Sequence, residues 1–196
     1  MDFIIIHGAP GNGKTTIASM LHERLGAPWF EFGWIPEFTK LNPHTHITQA
    51  GEEQLSFENI VLVARNYRKH GYENVLLSDL NDARMLDIPI VFGDASYVII
   101  TLYSENGDVL RDRIMTRDNG NEYRNFEEAL AINRMITERR LLPNEYRIRS
   151  DNQSPAQITE RIQAIIASHT HNPDFNAEAY RREDFFSYIK GYSFEE

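Results

Sequence analysis

The residues best equipped for chemistry are Gly8-Ala9-Pro10-Gly11-Asn12-Gly13-Lys14-Thr15, followed by Thr16, which satisfy G-x-x-x-x-G-K-[ST]. Glycines at these positions let successive backbone N–H groups turn inward around phosphate oxygens. A helix beginning at Lys14 adds the positive end of its dipole. In such a loop the Lys ammonium reaches the β- and γ-phosphates and the Thr hydroxyl ligates Mg²⁺, so the chemistry asks for ATP and Mg²⁺. A second candidate set is Leu110-Arg111-Asp112-Arg113-Ile114-Met115-Thr116-Arg117. Its Arg113 and Arg117 are four apart and share one helical face. Two guanidiniums there suit phosphoryl transfer, which proceeds by positioning and by neutralising charge. A solvated face pairing Arg113 and Arg117 with Asp112 and Asp118 is the competing reading.

These residues need a frame. Short β-branched runs predict strands over 3–7, 29–32, 74–78, 97–103 and 146–149, and three of them are nearly continuous in apolar character, as strands buried on both faces are. Between and after them, amphipathic patterns predict helices over 14–25, 52–69, 108–117, 126–141 and 154–168. The alternation implies an α/β fold, a three-layer arrangement with a five-stranded parallel sheet. Residues 1–170 read as one domain, with 31–70 as an acceptor segment and 117–126 as a short lid. Residues 171–196, rich in Phe and Tyr, read as a C-terminal helical appendage, with a short helix over 184–190.

At the phosphate loop the chain resembles the P-loop kinases of small molecules: adenylate, shikimate and gluconate kinases, and chloramphenicol phosphotransferase. The resemblance spans roughly residues 2–168. It implies that Arg113 lies over the adenine, that Arg117 contacts the transferring phosphoryl group, and that the loop containing Asn152 carries adenine contacts. It also implies that one of Arg139 and Arg140 turns inward as a further phosphate clamp. GTPases fit worse, because the chain has neither Asn-Lys-x-Asp nor Asp-x-x-Gly. ABC and AAA+ ATPases would need a Walker-B acidic pair, whereas the third strand ends Leu76-Leu77-Ser78-Asp79 with no Glu after it.

A base must orient or accept the acceptor's hydroxyl proton, and ligands gather at the carboxyl ends of parallel strands. Glu31 and Asp79 stand there. Asp79 could equally hold Mg²⁺, with Thr15, and Glu31 matches the first Asp of the shikimate-kinase Asp-x-Asp. Asp82 reads as a helix N-cap. His44 and His46 read as loop residues, not a metal pair. Between residues 31 and 64 stand five acids and one base before Arg65, Lys40. Because anionic acceptors are met by Arg, the acceptor is expected to be neutral or cationic. Trp29, Phe30, Phe32, Trp34 and Phe38 are either its aromatic walls or core packing beneath it.

Composition narrows the rest. With 20 Lys+Arg against 29 Asp+Glu the net charge is −9, which argues against nucleic acid as a partner. No cysteine is present, which excludes disulfides, thiolate metal sites and Cys nucleophiles. No apolar run approaches the ~20 residues of a membrane span, and Met1-Asp2 lacks the basic start of a signal peptide. The expectation is a cytoplasmic kinase, monomer or homodimer, acting on a small-molecule acceptor. A regulatory ATPase gripping a protein partner through residues 171–196, and a kinase of nucleoside monophosphates or nucleic-acid ends, are the alternatives.

Overall fold

The structure is a computed structural model and describes residues 1–38, 46–117 and 123–189. Five strands, β1 (Phe3–Gly8), β2 (Trp29–Glu31), β3 (Val75–Ser78), β4 (Tyr97–Tyr103) and β5 (Glu145–Arg149), form one sheet. Their order is β2-β3-β1-β4-β5, and every pairing is parallel. The helices are α1 (Lys14–Leu25), α2 (Gln49–Lys69), the single turn α3 (Ile88–Val91), α4 (Gly107–Thr116), α5 (Phe126–Glu138) and α6 (Pro155–Ser168).

The continuous apolar strands are explained by two cores, one on each sheet face. Phe3 and Ile5 of β1 enter a cluster with Phe57, Ile60 and Ala64 of α2, while Ile4 and Ile6 join Ile17 and Leu21 of α1 and Ile158 and Ile162 of α6. All four β1 side chains are fully buried, so β1 is held from both faces. Local chemistry sets the ends. Thr48 caps α2 by accepting from the Gly51 N–H at 3.0 Å, which starts the helix three residues before the expected Glu52. Ser154 and Gln157 make a reciprocal capping box on α6, with Pro155 in its first turn.

Three expectations are corrected. The fifth helix ends at Glu138, not 141, because Arg139 turns into the core. A 3-10 segment over Asp82–Leu86 and the turn α3 occupy a stretch to which the sequence assigned only an N-cap at Asp82. Residues 171–189 contain no α-helix: they carry two 3-10 turns, Ala177–Ala179 and Arg182–Asp184. The expected helix over 184–190 does not form in its described part because that backbone bonds to the body. Ala83 N–H donates to the Phe186 carbonyl at 3.0 Å, and Phe186 N–H donates to Asp82 Oδ2 at 2.9 Å. Phe185 is buried in the α2-side core, with Phe175 and Tyr180 packed against it.

Candidate active site

The loop joining β1 to α1 has the backbone its sequence demands. Gly8 has φ +143°, and a Cβ there would meet the Leu102 carbonyl oxygen at 2.4 Å. Gly13 caps α1 at φ +86°, with no side-chain cap and no acid in the first turn. The first N–H groups of α1 therefore face outward without a competing side chain, which is the arrangement that receives an anion. Asn12 locks the loop to distant elements: its Nδ2 donates to Asn133 Oδ1 at 3.2 Å, and Ser150 Oγ donates to its Oδ1 at 2.7 Å.

Around this loop opens a cleft of about 450 Å³. Pro10, Gly11, Asn12, Gly13, Lys14, Thr15 and Thr16 line it, together with Glu31, Asp79, Arg113 and Arg117. Gly8 lines a neighbouring cavity instead, and Ala9 is wholly buried behind the loop. Arg113 reaches across to the loop after β5, donating from Nη2 to the Ser150 carbonyl at 3.0 Å. Ser150 and Gln153 of that loop line the cleft. Asn152, at φ +62°, is exposed and does not. Arg117 follows α4, donates to the Tyr123 carbonyl and stands over the Tyr123 ring. Asp118, its proposed surface partner, and most of the expected lid lie outside the described residues.

Lys14 is 9% exposed and pairs with Asp79 at 3.2 Å. Asp79 itself sits at φ +64°, an uncommon conformation for a non-glycine residue, held where β3 ends. Glu31 accepts from Thr15 Oγ1 at 2.9 Å, and burial, opposed by that bond, pushes its carboxyl above the usual carboxylate range. Thr15, Glu31 and Asp79 thus present one hydroxyl and two carboxylates along one side of the cleft. That donor set fits Mg²⁺, which binds through one or two carboxylates while keeping phosphate and water ligands. Among the described residues no group of three acids or histidines forms a metal site without phosphate.

A second cavity, about 310 Å³, shares Pro10, Lys14 and Asp79 with the cleft. Its other walls are His7, Gly8, Phe32, Gly33, Glu37, Leu80, Asn81, Asp82, Ile132, Phe186 and Tyr188. Of the expected aromatic walls only Phe32 is here. Phe30 packs against the core, and Trp29 donates to Ser78 Oγ and contacts the exposed Trp34. Phe38 is exposed. Phe186 and Tyr188, from the chain's far end, take their place. No composition signal marked them as walls. Burial and the surrounding acids Glu53, Glu37 and Asp79 push the Tyr188 phenol up to about 12.

The remaining candidates have other duties. Arg139 is buried and makes a two-pronged pair with Glu145, at 2.8 and 2.9 Å, and reaches Asp82 Oδ1 at 3.3 Å. Arg140 stands over the Tyr180 ring. Neither lines the cleft, so the expected third phosphate clamp is absent among the described residues. Asp82 is not the N-cap of its segment. Asn81 is, accepting from Ala83 N–H at 3.2 Å. His46 is exposed, and His44 and Lys40 lie outside the described residues.

No protein-family model matches the sequence, and no curated protein is similar to it in sequence. Solved structures do match. A sugar kinase from a Janibacter species is 19% identical, covering 84% of this chain and 94% of that one, with a TM-score of 0.60. A gluconokinase from Sinorhizobium meliloti is 18% identical (85% and 97% covered; TM-score 0.57). A tunicamycin resistance protein from Deinococcus radiodurans is 22% identical (88% and 98% covered; TM-score 0.56). The fold is that of the P-loop small-molecule kinases. Among the described residues no helix is long and apolar enough to cross a membrane.

Proposed function

We propose that the protein is an ATP-dependent kinase that transfers the γ-phosphoryl group to a hydroxyl of a small, neutral or cationic molecule. The observation that carries this reading is the meeting of two cavities at Lys14 and Asp79. One is lined by an anion-receiving loop with Arg113 and Arg117. Among the described residues, the other has Lys14 as its only Lys or Arg, together with the acids Glu37, Asp79 and Asp82. A triphosphate in the first cavity would put its terminal phosphorus at the mouth of the second.

In this reading Lys14 and Arg117 neutralise the charge on the migrating group, and the α1 N-terminus holds the β-phosphate. Arg113 and the loop carrying Ser150 and Gln153 hold the base. Thr15, Glu31 and Asp79 would hold Mg²⁺, which supplies charge neutralisation on the phosphate oxygens when bound. Glu31, tied to Thr15 on the nucleotide side, is better suited to that duty than to serving as the acceptor's base.

A coupled assay of ADP release tests the proposal against adenosine, kanamycin, tunicamycin, D-gluconate and shikimate. Stimulation by one of the uncharged or cationic compounds, with a phosphorylated product by mass spectrometry, is expected. Transfer confined to gluconate and shikimate would contradict the charge argument. ATP hydrolysis that no acceptor alters would favour a regulatory ATPase, although Phe175, Tyr180 and Phe185, three of the aromatics such a protein could offer a partner, pack inward.

A further inference from the structure

Two residues that line the second cavity each carry a buried polar atom without a partner among the described residues. His7, 1% exposed, directs Nε2 to Asp82 Oδ1 at 2.8 Å and leaves Nδ1 unbonded. Asn81, 8% exposed, uses its oxygen as a cap and leaves Nδ2 unbonded. Such atoms are costly unless something in the cavity completes them. Asp82 is fixed on three sides, by His7, by Arg139 and by the Phe186 N–H. Burial pushes its carboxyl up, but His7 and Arg139 outweigh that and hold it below the usual range, so it stays an acceptor. Nε2 of His7 therefore donates to it, and in the neutral ring the lone pair then stands on Nδ1.

The other proton acceptors of this cavity are occupied or remote from it. Asp79 pairs with Lys14. Glu31 lines the nucleotide cleft and not this cavity. Glu37 also lines this cavity but is exposed and has an interaction of its own. We propose that His7, oriented by Asp82, is the base that accepts the hydroxyl proton of the phosphoryl acceptor. This rests on the kinase reading above and replaces Glu31 and Asp79 in that role.

The step balances as follows. The acceptor O–H bond breaks, its proton going to His7 Nδ1, and the oxygen lone pair forms a bond to the γ-phosphorus. The bond from that phosphorus to the bridging oxygen breaks, and its electron pair leaves on the β-phosphate of ADP. The imidazolium so formed faces Asp82, within a cluster in which two carboxylates, Asp82 and Glu145, share one guanidinium, Arg139. That cluster carries one surplus negative charge to stabilise it. The ring then returns its proton to solvent as product leaves. Asn81 Nδ2 is a donor available to a second oxygen of the acceptor.

The test compares the wild type with His7→Gln, whose amide keeps a donor toward Asp82 but has no basic nitrogen. ATP turnover is measured with each compound of the panel above and with water alone, and ATP affinity by calorimetry. In parallel, nitrogen-15 correlation spectra of the wild-type imidazole read which ring nitrogen is protonated at neutral pH. The expected result is a kcat lower by about 100-fold or more, an ATP affinity within about threefold, and a neutral ring with Nδ1 bare. Normal wild-type turnover together with a protonated Nδ1, or turnover by His7→Gln within about fivefold of the wild type, overturns the proposal alone. A wild type that binds ATP yet turns over nothing, water included, overturns the kinase reading and this one with it.

Discussion

The two cavities that meet at Lys14 are built in opposite ways. The proposed nucleotide cleft takes nearly half of its wall from consecutive residues, Pro10 to Ile17, and would take much of its chemistry from backbone N–H groups. The acceptor cavity draws on β1, the loops after β2 and β3, helix α5 and a segment more than a hundred residues further on. Its polarity depends on buried side chains paired across the fold, such as His7 with Asp82 and Asp82 with Arg139. A site made from local backbone geometry tolerates change elsewhere. One made from long-range pairs fails when any partner is lost.

The sharpest break on the cleft side is Lys14→Ala. Turnover should fall by about a thousandfold or more, because a preorganised cation in a water-poor site carries much of the transition-state charge. Steady-state ADP release checks this, and near-normal turnover would remove Lys14 from its role. On the acceptor side, Arg139→Met should lower the unfolding free energy by about 3–5 kcal/mol, since Asp82 and Glu145 are left as buried unpaired charges. Urea denaturation measures it; a loss below about 1 kcal/mol would mean that the pair is expendable.

A third prediction contrasts two buried clusters. Arg84 is shared by Glu53 and Asp87 much as Arg139 is shared by Glu145 and Asp82. Yet burial pushes Asp87 up to about 7, while Glu145, also buried, is held below its usual range by Arg139, Thr101 and the Leu142 N–H. The difference lies in the donors: Arg84 bonds Asp87, whereas Glu145 accepts from Arg139, Thr101 and the Leu142 N–H. The folded protein thus binds a proton at Asp87 more tightly than the unfolded chain does. Stability from this residue is present at low pH and is lost as pH rises through about 7. Between pH 5 and 8 the wild type should lose about 2 kcal/mol. Asp87→Asn should flatten that slope, and an unchanged slope would assign the pH dependence elsewhere.

The smallest effect belongs to the cavity mouth. Tyr188→Ala should raise KM for the acceptor about tenfold, the loss of roughly 1.4 kcal/mol of contact, with KM for ATP unchanged. If both constants moved together, Tyr188 would be acting on the fold and not on the acceptor.

Much of the fold was legible because its signals are local. Strand runs of Phe-Ile-Ile-Ile type, helical stripes and the Ser154-Pro155 cap each declare themselves within a few residues, and the alternation of β and α elements then leaves little but a parallel sheet. The phosphate loop was legible for the same reason: its function needs a particular backbone, and glycine spacing encodes that backbone directly. That one of Arg139 and Arg140 turns inward could be expected, but neither which one nor toward what, because Asp82 is brought to Arg139 only by the sheet order β1-β4-β5 and the loop after β3. His7 looked like the last residue of a strand. Its meaning depends on Asp82, 75 positions away. Phe186 and Tyr188 looked like members of an appendage until the Asp82 carboxylate and the Ala83 N–H captured their segment. The sequence alone determined the sheet, most of its helices and the glycine-rich loop proposed to grip a triphosphate. The tertiary structure alone decided what faces the phosphoryl group from the other side, since long-range pairing of buried polar groups leaves no periodic trace along the chain.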